Sequence, residues 1–114
     1  MRNLIYGILL FVIGQSLIWF QTNGQFIWPW FKRNPLIVSL VAGTGISYMF
    51  IVATRNVAEH YDGLLWPGRF IAFGTGMVSF ALLTWYFLGE GLSTKTLVSL
   101  MLALTLVTIQ IVWK

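Results

Sequence analysis

Four long apolar runs make up most of this chain, and they constrain its fold more than any other feature. The runs are Leu4–Phe20, Pro35–Thr54, Phe70–Leu88 and Leu97–Trp113. A helix of about 17 to 20 residues, rising 1.5 Å per residue, covers the ~30 Å hydrocarbon core of a bilayer. We therefore predict an all-α fold, an integral membrane bundle of four transmembrane helices with short loops. A single domain would hold helices over about 3–22, 35–56, 67–88 and 94–113.

The composition excludes a soluble helical bundle. The chain is 58% hydrophobic and 9% charged, whereas an ordinary soluble domain is about 25% charged. Helices of a soluble bundle carry a polar stripe where they face water. In the first run the strongly polar side chains are only Gln15 and Ser16, so no such stripe exists.

The centre of the second run, Gly43–Ser47, allows two structures. It could form a broken or re-entrant segment, or part of a helix that crosses completely. We favour the crossing, because glycine is tolerated in membrane helices.

Residue types that carry chemistry are scarce. The chain has no cysteine, one histidine (His60) and three carboxylates, Glu59, Asp62 and Glu90. Metal sites are built from such side chains, and catalysis needs a nucleophile with a base or clustered carboxylates. We expect no metal site, no cofactor, no enzymatic activity and no nucleic-acid partner.

Aromatic and basic residues gather where the loops would meet the membrane surface. Tryptophan and tyrosine are typical of this interface, and we place Trp19 there together with Trp85 and Tyr86. Basic residues beside the membrane attract lipid phosphates. The predicted interface or headgroup residues are Trp28, Trp30, Lys32, Arg33, Glu90 and Lys95.

The orientation of the chain is weakly specified. Four crossings place both termini and the second loop on one side, with the cations Arg2, Arg55, Arg69 and Lys114. The other side carries Lys32, Arg33 and Lys95. We favour cytoplasmic termini in a cell (inner) membrane, because the first helix usually sets the orientation. Insertion in both directions, with antiparallel dimers, is the alternative.

Two helices carry small residues four positions apart. Such spacing lets helix backbones approach closely and drives association in lipid. The predicted packing residues are Ser39, Gly43 and Ser47 on the second helix and Gly68, Ala72 and Gly76 on the third. The functional alternative is that glycines 43, 45, 74 and 76 form a flexible region beside a substrate cavity.

Gln15 is the most informative polar residue within the apolar runs. An unpartnered amide in hydrocarbon costs several kcal/mol, so Gln15 should point inward and hydrogen-bond to another helix or to a ligand. Gln15, Ser16, Tyr48 and Trp66 form our candidate substrate-binding set.

Several local patterns together resemble a known family. They are Gly14-Gln15 in the first helix, Trp66-Pro67 before the third, and Leu88-Gly89-Glu90-Gly91-Leu92-Ser93-Thr94-Lys95 between the third and fourth. The chain resembles the small four-helix members of the drug/metabolite transporter superfamily. Ser93 should cap the fourth helix, with Glu90 near its positive end.

The resemblance implies transport, but not every mechanism of the superfamily. Small multidrug-resistance proteins use a glutamate in their first helix for proton-coupled export, and the first helix here has no carboxylate. The chain looks more like the small subunits that flip lipid-linked sugars. That likeness implies an oligomer that moves an amphiphilic or lipid-linked metabolite across the bilayer.

A second function fits the same residues. Small-residue faces, few charges and short loops also suit a non-transporting structural or accessory subunit of a larger membrane complex. In either case we expect membrane lipids as partners, and a homo-oligomer or a hetero-oligomer with another membrane protein.

Overall fold

The computed structural model describes residues 1 to 113, and it is 87% helical without strands in that range. The predicted all-α class is therefore confirmed. The helices are α1 (Arg2–Asn23), α2 (Pro29–Arg33), α3 (Pro35–His60), α4 (Trp66–Leu83) and α5 (Thr94–Val112). A 3-10 turn, Gly24–Phe26, follows α1, and a π turn, Thr84–Leu88, follows α4.

Four of these helices are long and apolar enough to cross a membrane. Their lengths and compositions indicate an integral membrane protein. The re-entrant alternative for Gly43–Ser47 is wrong, because α3 is one unbroken helix from Pro35 to His60. That helix also continues beyond the predicted end at residue 56. Lys114, which the orientation argument uses, lies outside the described residues.

Helix α1 is central in the fold. It packs against both α3 and α4, whereas α5 packs against α4 alone. A buried hydrophobic cluster joins α1, α3 and α4 and contains Leu4, Phe11, Ala53, Val57 and Ile71. The protein is thus a three-helix core with α5 attached to one side.

Two glycines set the closest helix approaches. A Cβ atom at Gly7 would collide with Val57 of α3 and lie 3.1 Å from the carbonyl oxygen of Ala53. A Cβ atom at Gly74 would collide with Val107 of α5. Small residues allow such contacts, and dispersion between the closely packed atoms then stabilises the pair.

The predicted packing residues divide between interior and surface. Ser39 and Ser47 are exposed on α3, and the Oγ of Ser39 donates to the carbonyl of Leu36 in its own helix. A Cβ atom at Gly43 would lie 3.6 Å from the Oε1 atom of Gln21. The α3 stripe as a whole therefore does not pack inside the chain.

The α4 stripe, in contrast, lies at helix contacts. Gly68 is buried and approaches Val57 of α3. Ala72 packs against the central cluster. A Cβ atom at Gly76 would come within 2.8 Å of the Gln15 side chain of α1. These small residues give α4 a flat face for two other helices.

Helix ends follow local hydrogen-bond rules. The Oγ of Ser93 accepts a 3.2 Å hydrogen bond from the Thr96 backbone N–H, which confirms the predicted cap of α5. At the end of α3, the N–H of Gly63 donates to the Ala58 carbonyl at 2.7 Å, with Asp62 in the left-handed region at φ 57°. This is a Schellman ending, usually built with glycine at the left-handed position.

Candidate functional site

Within residues 1 to 113, two side-chain hydrogen bonds link α1 to the third span: one reaches α4 and the other reaches the π turn that follows it. The Nε2 of Gln15 donates to the carbonyl oxygen of Ala72 at 2.9 Å. The Nε1 of Trp19 donates to the Oγ1 of Thr84, also at 2.9 Å. These contacts define the candidate site, because polar groups within apolar helices mark either packing or function.

Gln15 of α1 is half-buried, and its side chain packs against the face of α4 that carries Ala72 and Gly76. The predicted hydrogen bond to another helix is confirmed. The hydroxyl of Thr75 also donates a hydrogen bond to the carbonyl oxygen of Ala72, at 3.0 Å. The Nε2 of Gln15 is therefore hydrogen-bonded within the contact between α1 and α4.

The location of Trp19 differs from the one predicted from the sequence. It is only 2% exposed, and its partner Thr84 is 5% exposed. The prediction that Trp19 belongs to an interfacial belt is therefore wrong, since its ring lies inside the protein. A buried indole N–H needs an acceptor, and Thr84 supplies it at the first residue of the π turn.

Sequence reasoning missed the pair of Trp19 and Thr84. Trp19 was assigned from its position near the end of the first apolar run, which does not show whether a tryptophan faces lipid or another helix. No motif in the sequence singles out Thr84.

Aromatic rings join the end of α1 to the π turn and to α2. The Phe20 ring lies 5.2 Å from Phe87 and 6.3 Å from Trp28, centroid to centroid. Trp28 in turn lies 5.2 Å from Phe31. A Cβ atom at Gly24 would collide with the Phe31 ring, so this glycine lets α2 fold back onto α1.

Within residues 1 to 113, no side-chain hydrogen bond or ring contact joins the four candidate substrate residues to one another. The Oγ of Ser16 donates to the Val12 carbonyl of its own helix. Tyr48 and Trp66 are 70% and 71% exposed, and the Trp66 ring stacks on Phe70. Only Gln15 contacts a neighbouring helix through its polar atoms.

The predicted interface residues are all exposed and lie in or beside two connections. Trp28, Trp30, Lys32 and Arg33 belong to the segment between α1 and α3, whereas Glu90 and Lys95 flank the start of α5.

The contacts of Gln15 with Ala72, and of Trp19 with Thr84, run in the same direction along both helices. Helices α1 and α4 are therefore parallel, and both connections lie at the same end of the molecule.

Two open cavities lie along α5. The first, of about 560 Å³, is lined by α5 residues between Met101 and Val112 and by Trp113, which follows the helix. The second, of about 470 Å³, lies between α4 and α5; we call it the α4–α5 groove. It is lined by Val78, Ala81, Leu82, Trp85, Gly91, Leu92, Leu100 and Leu104.

Comparisons with family models, with curated proteins and with solved structures find no match for this chain.

Proposed function

We propose that this chain is an integral membrane protein that works as a structural or accessory subunit of an oligomer and assembles through α5. The observation that carries the proposal is the packing of α5 against α4 alone. In the most apolar stretch of α5 only 6% of residues are buried, against 22% to 28% in the other three spans. Helix α5 therefore keeps most of its surface available for another subunit.

One face of α5 has the spacing of a helix-packing seam. The residues Val98, Met101, Thr105, Thr108 and Val112 recur every three or four positions, and all are exposed. We call this set the α5 seam. Such spacing keeps one face toward a partner helix. The hydroxyls of Thr105 and Thr108 bond to carbonyls of α5 itself, so these threonines present small, satisfied side chains of the kind that favour helix association in lipid.

The interior of the chain supports assembly more than a transport path through one copy. Large side chains fill the centre of the three-helix core: Phe11 is 2% exposed and Ile71 is 1% exposed. The amide of Gln15 is hydrogen-bonded to Ala72. This hydrogen bond supports a packing role for Gln15 between α1 and α4.

A second candidate function is transport of an amphiphilic or lipid-linked metabolite by the oligomer. The α4–α5 groove favours it, because an apolar groove open along a membrane helix suits the hydrocarbon part of such a substrate. The resemblance to small lipid-linked-sugar flippase subunits points the same way. In this case the path would lie between copies and not through the three-helix core.

Sizing in detergent tests assembly through α5. Thr105→Trp places a bulky ring in the α5 seam and should convert the oligomer to a monomer. Leu106→Trp is the matched control. Leu106 is 40% exposed, and because successive helical residues lie about 100° apart around the axis, it lies off the seam. This variant should therefore keep the wild-type size. A monomeric wild type, or equal sizes for both variants, would contradict the proposal.

Transport has its own test. Wild-type protein in reconstituted vesicles should be assayed with a fluorescent lipid-linked sugar analogue whose headgroup is quenched from outside. Headgroup movement that depends on the protein supports the second candidate. If a correctly assembled oligomer does not move the headgroup, the structural role is favoured over transport of this class of substrate.

A further inference from the structure

A short aromatic and basic segment connects the first two spans. It consists of Trp28 and helix α2, and we call Trp28–Arg33 the α2 segment. Helix α2 has no buried residue, and Trp30, Lys32 and Arg33 are all exposed. Two tryptophan rings and two adjacent cations therefore lie on one small surface of the protein.

Ring contacts hold the α2 segment against the end of α1. A Cβ atom at Gly24 would collide with the ring of Phe31, and the Phe31 centroid lies 5.2 Å from that of Trp28. The Trp28 ring in turn stacks on Phe20 of α1 at 6.3 Å. The segment thus has a fixed place on the protein, while its cations stay exposed.

The cations of the α2 segment lie at the depth of lipid phosphates. The apolar part of α3, Pro35–Thr54, covers about 30 Å of helix, which places Pro35 at the edge of the hydrocarbon core. Arg33 precedes Pro35 by two residues, a distance of at most about 7 Å. The headgroup layer on each side of the core is about 5 to 8 Å thick, so Arg33 and the neighbouring Lys32 reach it.

The α2 segment contains no carboxylate that could neutralise its cations. The first acidic residue of the chain is Glu59, about 36 Å from Pro35 along α3. Among residues 1 to 113, Glu90 is the only acidic residue at this end of the molecule, and Lys95 follows it. This end of the protein therefore keeps a net positive charge.

We infer that the α2 segment binds an anionic phospholipid at the membrane surface. Lys32 and Arg33 attract the negative headgroup, and the indole rings lie at the interface beside it. A zwitterionic headgroup attracts the two cations less, because its own ammonium group offsets the phosphate. Lipid is favoured over an acidic protein by the depth of the cations and by the exposed ring of Trp30, which is 49% exposed. This surface requires the membrane placement in the proposed function, but not assembly through α5.

Two double variants separate the position of the charges from their number. Lys32→Gln with Arg33→Gln removes both cations of the α2 segment. Arg2→Gln with Arg69→Gln is the matched control, because it changes the net charge equally and both arginines are exposed at the opposite end of the molecule. A third variant, Trp30→Ala, removes an exposed ring and keeps the charges.

Native mass spectrometry of the delipidated protein, with phosphatidylglycerol or phosphatidylcholine added back, measures the affinity for each lipid. We expect the wild type to bind phosphatidylglycerol about 25-fold more tightly, because each cation contributes about fivefold. The variant without Lys32 and Arg33 should bind both lipids equally, whereas the control should keep the preference. Trp30→Ala should weaken the binding of both lipids by a similar factor.

Three results would overturn the inference. They are equal affinity of the wild type for both lipids, the same loss of preference in the two double variants, and displacement of phosphatidylglycerol by an equal concentration of inorganic phosphate or of a short polyglutamate peptide. The last result would assign the cations to a soluble anion or to an acidic protein. A monomeric Thr105→Trp variant that keeps the preference for phosphatidylglycerol would separate this surface from the proposed assembly.

Discussion

The indole N–H of Trp19 donates a 2.9 Å hydrogen bond to the hydroxyl of Thr84, and both side chains are buried. The bond ties α1 to the residue at which α4 changes from an α-helix to a π turn. π turns break the regular helix ladder and occur often at functional or strained positions. The Trp19 contact therefore holds the π turn after α4 in place.

Thr84→Val should destabilise the protein, because it leaves the buried indole N–H without an acceptor. We expect a loss of about 1 to 3 kcal/mol in the free energy of unfolding, measured by denaturant titration in detergent micelles. Trp85→Phe is the control, since Trp85 is 60% exposed and should cost little. An unchanged stability of Thr84→Val would contradict a structural role for this bond.

Gln15→Leu tests whether Gln15 serves packing. If the amide stabilises the contact of α1 with α4, its loss should lower the unfolding free energy by about 0.6 kcal/mol, the average for interhelical hydrogen bonds in membranes, and by no more than about 1.7 kcal/mol, the largest value. Ser16→Ala is the matched control, because the Ser16 hydroxyl bonds only within α1. Full stability of Gln15→Leu together with loss of lipid-linked-sugar movement would instead place Gln15 at a substrate.

The sequence predicts the spans well and their packing poorly, and lipid is the reason. In water the inner face of a helix is marked by its apolar stripe, whereas in lipid every face is apolar. Hydrophobicity therefore locates the spans but does not show that α1 is central or that α5 lies at the side. It also gave no reason to separate the exposed Ser39 and Ser47 from Gly68 and Gly76, which lie at helix contacts.

Features governed by local chemistry were easier to predict. Ser93 was expected to cap α5 because its hydroxyl is placed to accept a backbone N–H in the first turn, and it does so. Gln15 was expected to find a partner because an unpaired amide in hydrocarbon is costly. Trp19 was misplaced because a tryptophan near a helix end fits both a lipid interface and an interior hydrogen bond.

Gly74→Ala should weaken the attachment of α5. The added methyl group would collide with Val107, and overpacking of this kind costs about 1 to 3 kcal/mol. Unfolding in detergent should show the loss, and Val107→Ala in the same chain should recover most of it by making room. Gly45→Ala provides the control, since a Cβ atom there meets nothing within 4 Å. If the double variant does not regain stability, the contact between Gly74 and Val107 is not the cause of the loss.

Asp62 provides a test of the α3 ending. Its φ of 57° lies in the left-handed region, where glycine has no Cβ strain and a β-branched residue has the most. Asp62→Gly should preserve or raise the melting temperature, and Asp62→Val should lower it. Asp62→Asn removes the charge but keeps the tolerance for this conformation, so it should match the wild type. Equal melting temperatures for the valine and asparagine variants would contradict the backbone explanation.

Disulfide cross-linking in native membranes tests the central claim, assembly through α5, most directly. The chain has no cysteine, so a single cysteine reports only on its own position. Thr105→Cys lies on the α5 seam and Leu106→Cys lies off it at nearly the same depth. Under mild oxidation, Thr105→Cys should form a linked dimer in high yield and Leu106→Cys should remain a monomer on a non-reducing gel. Equal yields for the two positions, or no link at Thr105→Cys, would contradict assembly of copies of this chain through α5.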